Sequence, residues 1–174
     1  MNLIIETERL LLRPYTVNDI EAAYQMNLDP EVSRYTGDGG VHSLEEIDTI
    51  IRTHVLGDYQ KHGFGRMAVV WKETNEYIGF SGLKYLPEFD VVDIGYRFKS
   101  AFWGRGIATE ANLPFIDYGF KTLKLNKIIG MAFPENKASV RVLEKLGLRF
   151  KKWIEEDGET LGWYEIQNPL GLSS

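Results

Sequence analysis

The 174 residues are 44% hydrophobic and 26% charged, a globular mixture long enough to bury one substantial core. The absence of cysteine excludes a disulfide framework, a thiolate metal site and a cysteine nucleophile. A net charge of -5 disfavours nucleic acid as a partner, because phosphate binding calls for a basic face, and suits a cationic substrate. No apolar run is long enough to cross a bilayer, and the opening MNLIIETERL meets charge too early for a secretory signal. The expectation is one domain over residues 1–174, cytoplasmic and without a membrane partner. His42, His54 and His62 are scattered without ligand spacing, so no metal is expected.

In chain order, residues 9–13 (RLLLR), ended by Pro14, predict a first strand. Asn18 or Asp19 is placed to cap a helix to about Leu28, with Ile20, Ala23, Tyr24 and Asn27 at helical spacing. Residues 38–42 are glycine-rich and predict a loop. Ser43 followed by Glu46 has the form of a capping box, opening a helix to about Gln60. Its apolar stripe is Leu44, Ile47, Ile50, Ile51 and Val55. Strands at hairpin spacing follow over residues 66–71, 77–85 and 91–98, with turns at 73–76 and 87–90.

A Gly-rich stretch, FWGRGIATEA, then leads into a helix ending near Thr122. Pro114 inside that helix predicts a kink and not an end, because Ala111, Phe115, Tyr118 and Leu123 keep the helical period. A strand over 127–133 precedes a helix over 136–146, which Gly147 stops. Strands over 149–155 and 160–167 are joined by a turn at Asp157-Gly158. Hairpins mixed with strand-helix-strand crossovers predict a mixed α/β fold, a mostly antiparallel sheet flanked by about four helices.

The most informative stretch is residues 94–111, IGYRFKSAFWGRGIATEA. A strand enters a loop holding Gly104 and Gly106, and a helix begins at once. Glycine lets backbone approach a ligand, and free amides at a helix start favour an anion, so the combination suits a pyrophosphate. A tight turn with no ligand explains the glycines equally well. Neither the P-loop pattern nor a full GxGxxG is present.

Five segments in order carry a resemblance: TERLLLRP (7–14), DPEVSRYTG (29–37), YIGFSGL (77–83), VDIGYRFKSAFWGRGIATEA (92–111) and NKASVRVLEKLGLRF (136–150). Together the chain resembles the GNAT superfamily of N-acetyltransferases, in particular the branch of ribosomal-protein N-terminal acetyltransferases. The resemblance implies the acyl-CoA N-acyltransferase fold, its sheet splayed between the fourth and fifth predicted strands (91–98 and 127–133). It implies acetyl-CoA as donor, with the pantetheine arm along Phe98 and Lys99. The diphosphate would rest on the amides of Trp103, Gly104, Arg105, Gly106, Ile107 and Ala108. The family loop carries Gln or Arg where this chain has Trp103, so backbone amides are left to bind.

For catalysis, Asp93 stands where this branch often carries glutamate in a similar EIGY stretch, and the resemblance nominates it as base, directly or through water. The alternative, a strand-edge carboxylate that solvates the sheet or attracts the cationic amine, stays open. A backbone N–H near Phe98 would stabilise the carbonyl oxygen. The tyrosine that many GNAT enzymes place in the last helix corresponds to Leu143 here; Ser139 is the remaining hydroxyl. Asn136 would contact pantetheine or order Ser139, or simply cap its helix. Tyr35, Phe64, Tyr85, Phe89, Trp163 and Tyr164 are either an acceptor pocket or core. The implied partner is an amine acceptor, a small molecule or a protein N-terminus, with a homodimer left open. A non-catalytic CoA-binding regulatory module is the competing reading.

Overall fold

The computed structural model describes residues 1–37 and 42–171. Among these, eight strands form one sheet in the order β1-β2-β3-β4-β5-β6-β8-β7. The strands are β1 (Ile5–Glu6), β2 (Leu10–Pro14), β3 (Met67–Trp71), β4 (Glu76–Leu86), β5 (Val91–Phe98), β6 (Lys127–Ala132), β7 (Arg149–Glu156) and β8 (Glu159–Gln167). All neighbouring pairs are antiparallel except β5 and β6, which run parallel and share one residue pair, Asp93 with Ile129. Beyond that pair the two strands part. The sheet is therefore splayed where the resemblance placed the opening.

Helices cover both faces. On one side α1 (Ile20–Asn27), α2 (Pro30–Ser33), α3 (Leu44–Thr49), α4 (Leu56–His62) and the turn Ile50–Val55 that joins the last two pack through Ile20, Ala23, Met26, Val32, Ile47, Ile51 and Tyr59 on Ala68 and Tyr77. On the other, α5 (Ile107–Lys121) and α6 (Lys137–Lys145) set Ile107, Ala111, Phe115, Phe120 and Leu143 against Leu10, Leu12, Met67, Val69, Val92 and Ile94. Met67 and Val69 on one face with Ala68 on the other display the two-residue strand period that sorts side chains between the layers.

Several local expectations are corrected. β1 precedes the first predicted strand, too short to show a periodicity. Asp19 stands at the N-cap position of α1 but its side chain makes no cap bond to that helix. The capping box sits on the 3-10 turn Val17–Asp19 just before it, where the Thr16 side chain takes the Asn18 amide and the Asp19 carboxylate takes the Thr16 amide at 2.8 Å. Asp19 is instead buried and bound by both ends of the Arg13 guanidinium at 2.8 and 2.7 Å. The short α2 was not foreseen, although Asp29 caps it and Pro30 opens it.

The capping box at Ser43 and Glu46 is present. The predicted helix beyond it continues to His62, but its middle, Ile50–Val55, is π-helical, with the Leu56 amide reaching back to the Ile51 carbonyl. Of the predicted apolar stripe, Ile47 and Ile51 are buried, while Leu44, the first residue of α3, is exposed. α5 runs unbroken through Pro114. Residues 38–41 of the predicted glycine-rich loop lie outside the described residues.

Candidate active site

The site begins with the direction of peptide groups in β5. The Lys99 amide bonds the Ile78 carbonyl of β4 at 2.9 Å, so the adjacent pair, Gly79 and Phe98, is of the non-hydrogen-bonded kind. The peptide N–H and C=O of Phe98, and by the same alternation those of Tyr96, therefore face away from β4. On that side stood β6, which has already diverged. The result is a slot walled by β5 and β6 into which strand-like peptide groups project, fitted to an extended ligand carrying amides of its own.

At the open end of the slot lies the glycine loop. Gly104 and Gly106 have φ of 71° and 75°, a left-handed conformation that side chains with a Cβ rarely adopt. The first helical bond of α5 is from the Glu110 amide to the Gly106 carbonyl, at 3.0 Å. The amides of Ile107, Ala108 and Thr109 precede it and have no partner within the helix. Gly104, Gly106, Ile107, Ala108 and Thr109 all line one cleft of about 1120 Å³, together with Phe98, Trp103 and Asn136. Orphan amides, a helix dipole and no side chain at Gly104 or Gly106 make a site for a diphosphate.

α5 is held to the sheet by a buried polar contact. The Ser81 hydroxyl donates to Asn112 Oδ1 at 2.7 Å, and Asn112 Nδ2 donates to the Ala108 carbonyl at 2.7 Å; both residues are fully buried. Neither was singled out in the sequence.

Asp93 lies on the α1–α4 side of β5, buried at the floor of the slot. Its Oδ1 accepts from Arg66 Nη2 at 2.8 Å, and Arg66 also donates to the Gly82 carbonyl. Burial raises the Asp93 carboxyl above its ordinary value, against the opposing pull of Arg66 and Lys84. The guanidinium crosses β5 at Gly95, where an added Cβ would stand 2.4 Å from Nη2. Arg66 was missed because its partner is 27 positions away, though the glycine in IGY was a trace of the crossing.

On the opposite face, the Tyr96 hydroxyl lies 2.9 Å from Ser139 Oγ, and both line the cleft. Burial pushes the Tyr96 phenol up to about 12, so it stays protonated at neutral pH. Asn136 caps α6, its Oδ1 accepting the Ser139 amide at 3.1 Å. Leu143 is buried in the core. A tyrosine hydroxyl therefore does face this part of the cleft, from β5 instead of the last helix, and sequence reasoning overlooked it inside IGY.

Other predicted residues are placed differently. Lys99 does not line the cleft: its amide serves β4 and its ammonium pairs with Glu76 at 2.8 Å. Arg105 is also outside, lying over the Phe102 ring at 5.3 Å. The Trp103 indole N–H is turned inward to the Phe98 carbonyl at 2.9 Å, so it satisfies that carbonyl instead of a ligand. Of the six aromatics, Tyr35 lines the cleft; Phe64 and Tyr85 pack on His62, Phe89 on Trp163, and Tyr164 on Phe150. Among the described residues no group of three or more His, Cys, Asp or Glu could hold a metal, and no helix is long and apolar enough to cross a membrane.

The comparisons agree with this geometry. The family model described as an acetyltransferase (GNAT) domain matches residues 9–149. The chain is 34% identical over 147 residues to YoaA, an uncharacterized N-acetyltransferase of Bacillus subtilis, covering 84% of this chain and 82% of that one. A GNAT-family acetyltransferase of Bacillus anthracis superposes with a TM-score of 0.80 at 29% identity, covering 95% of this chain and 99% of that one. A ribosomal L7/L12 α-N-protein acetyltransferase, RimL, solved with coenzyme A, shares the fold, with a TM-score of 0.80 at 18% identity and 95% and 98% coverage. Splayed sheet, glycine loop and sequence matches together place this chain in the GNAT family of N-acetyltransferases.

Proposed function

We propose that the chain transfers the acetyl group of acetyl-CoA to a primary amine, by direct attack of the amine on the thioester while both substrates are bound. The observation that carries this reading is the slot between β5 and β6, with the gap-facing N–H of Phe98 and orphan amides at the start of α5. The residues present fit the donor: the α5 amides suit its diphosphate, and β5 suits its pantetheine amides. Bound there, the donor supplies an activated acetyl carbonyl.

The chain's own groups then divide the work. The Phe98 N–H, directed into the slot, would donate to the carbonyl oxygen as it gains charge. Asp93 is five residues along β5 from Phe98, about 16 Å in an extended strand, so it cannot touch an amine reacting there. Held in place by Arg66 as a carboxylate before the reaction, it would take the amine's proton through a chain of water, become the carboxylic acid, and return that proton to solvent by the same route. As carbon–nitrogen bonding forms and the carbon–sulfur bond breaks, the departing thiolate would meet the Tyr96–Ser139 hydroxyl pair. A phenol near 12 is a weaker acid than a thiol near 8.5, so Tyr96 would stabilise the thiolate by hydrogen bonding and not by full protonation.

A distant, water-linked base suits an α-amine, which titrates near 8, better than a lysine-type amine near 10.4. The acceptor class inferred is therefore the α-amine of a peptide or small molecule. RimL, named as an α-N-protein acetyltransferase, is consistent with that class. Thiol release from acetyl-CoA across a panel of N-terminal peptides, amino compounds and polyamines tests it, with fastest release expected for α-amines. Heat stabilisation by acetyl-CoA without release for any amine would instead indicate a CoA-binding regulatory module.

A further inference from the structure

Arg9 precedes β2, does not line the cleft and has no part in the scheme above. Its guanidinium nevertheless grips the glycine loop and α5 together. Nη2 donates to the Arg105 carbonyl at 2.8 Å, and Nε donates to Glu110 Oε2 at 2.7 Å. The other Glu110 oxygen accepts from the Arg9 amide at 2.9 Å and the Thr7 hydroxyl at 2.6 Å. The guanidinium also lies over the Trp71 ring, which packs against Phe102 at 5.5 Å.

We infer that Arg9 is a positioning residue for the donor's diphosphate, setting the direction of a loop amide and neutralising the carboxylate beside the helix start. The inference rests on the donor-binding reading of the same loop. Two physical consequences of the contacts support it. The Arg105 carbonyl and the Gly106 N–H belong to one trans peptide and point in opposite directions. Anchoring the carbonyl on the outer side aims the N–H toward the cleft, which Gly106 lines and Arg105 does not.

Glu110, in the first turn of α5, would otherwise set a bare negative charge close to a bound dianion. Burial tends to raise its carboxyl, but Thr7 and Arg9 hold it below the ordinary range, so the carboxylate stays ionised and paired. Exposed ion pairs count for little singly; here several donors converge on one half-buried carboxylate, a geometry that gains from being a network.

Calorimetric titration separates positioning from general structural damage. Acetyl-CoA is titrated against wild type, Arg9→Ala and Arg9→Lys, and S-acetylpantetheine, which lacks the diphosphate, is titrated at high concentration against the same proteins. Arg9→Ala is expected to weaken acetyl-CoA binding about tenfold, as befits loss of charge-assisted contacts, with Arg9→Lys between it and wild type. S-acetylpantetheine affinity should stay within about twofold of wild type. Unchanged acetyl-CoA affinity in Arg9→Ala, or an equal loss for both ligands, overturns the inference. Failure of wild type to bind acetyl-CoA removes the donor reading itself, a distinguishable result.

Discussion

At the scale of single residues, Asp93 and Tyr96 occupy opposite faces of β5, and the proposed scheme gives them opposite tasks. In that scheme Asp93 acts as a carboxylate, and burial raises its carboxyl above the ordinary 3.8. Turnover should be complete well above that raised value and fall as pH drops through it. Asp93→Asn is expected to remove this acidic limb, leave the limb set by the acceptor amine, and lower kcat by about ten- to a hundredfold. Acetyl-CoA affinity should be nearly unchanged; a pH–rate profile matching wild type excludes Asp93 from proton transfer. Tyr96→Phe keeps the ring and removes the hydroxyl, so kcat should fall about tenfold with little change in either KM. A wild-type kcat in that variant removes the hydroxyl pair from the mechanism. Asp93 and Ser139 were legible as candidates, through VDIGY and NKASV and the resemblance those motifs carry. Arg66 and the role of Tyr96 were not, because each is defined by a partner distant in the chain: Asp93 is 27 positions from Arg66, and Ser139 is 43 from Tyr96.

At the scale of elements, the orientation of α5 fixes where the orphan amides point, and the Ser81–Asn112 contact fixes α5. Asn112→Ala leaves a fully buried hydroxyl without its acceptor, which costs about 1–3 kcal/mol. For a chain of this size that lowers Tm by roughly 2–4 °C per kcal/mol, read by calorimetry. The double variant Ser81→Ala/Asn112→Ala should lose less than the sum of the two single changes. Strict additivity would mean that the contact contributes nothing. The hairpins and capped helices were legible because their signals are local: Asp157 and Gly158 both take positive φ, and Ser43 and Glu46 cap each other. The π-helical turn at Ile50–Val55 was not, since its apolar residues fit an ordinary helical stripe equally well.

At the scale of the whole molecule, function follows from one departure from regularity. Had β6 continued to pair with β5, the peptide groups of Tyr96 and Phe98 would be consumed by the sheet. Instead pairing with β5 ends at Asp93 and Ile129, while β6 stays paired through its other edge with β8. Periodicity alone implied a mixed sheet with crossovers but could not order its strands, because a single parallel residue pair leaves no pattern in composition. The splay came from the resemblance, carried by five motifs in order. A crystal structure of the protein with coenzyme A tests the central claim most directly. It should show the diphosphate on the amides at the start of α5 and pantetheine between β5 and β6 beside Phe98. A coenzyme bound elsewhere, with that slot closed by side chains, would contradict the account.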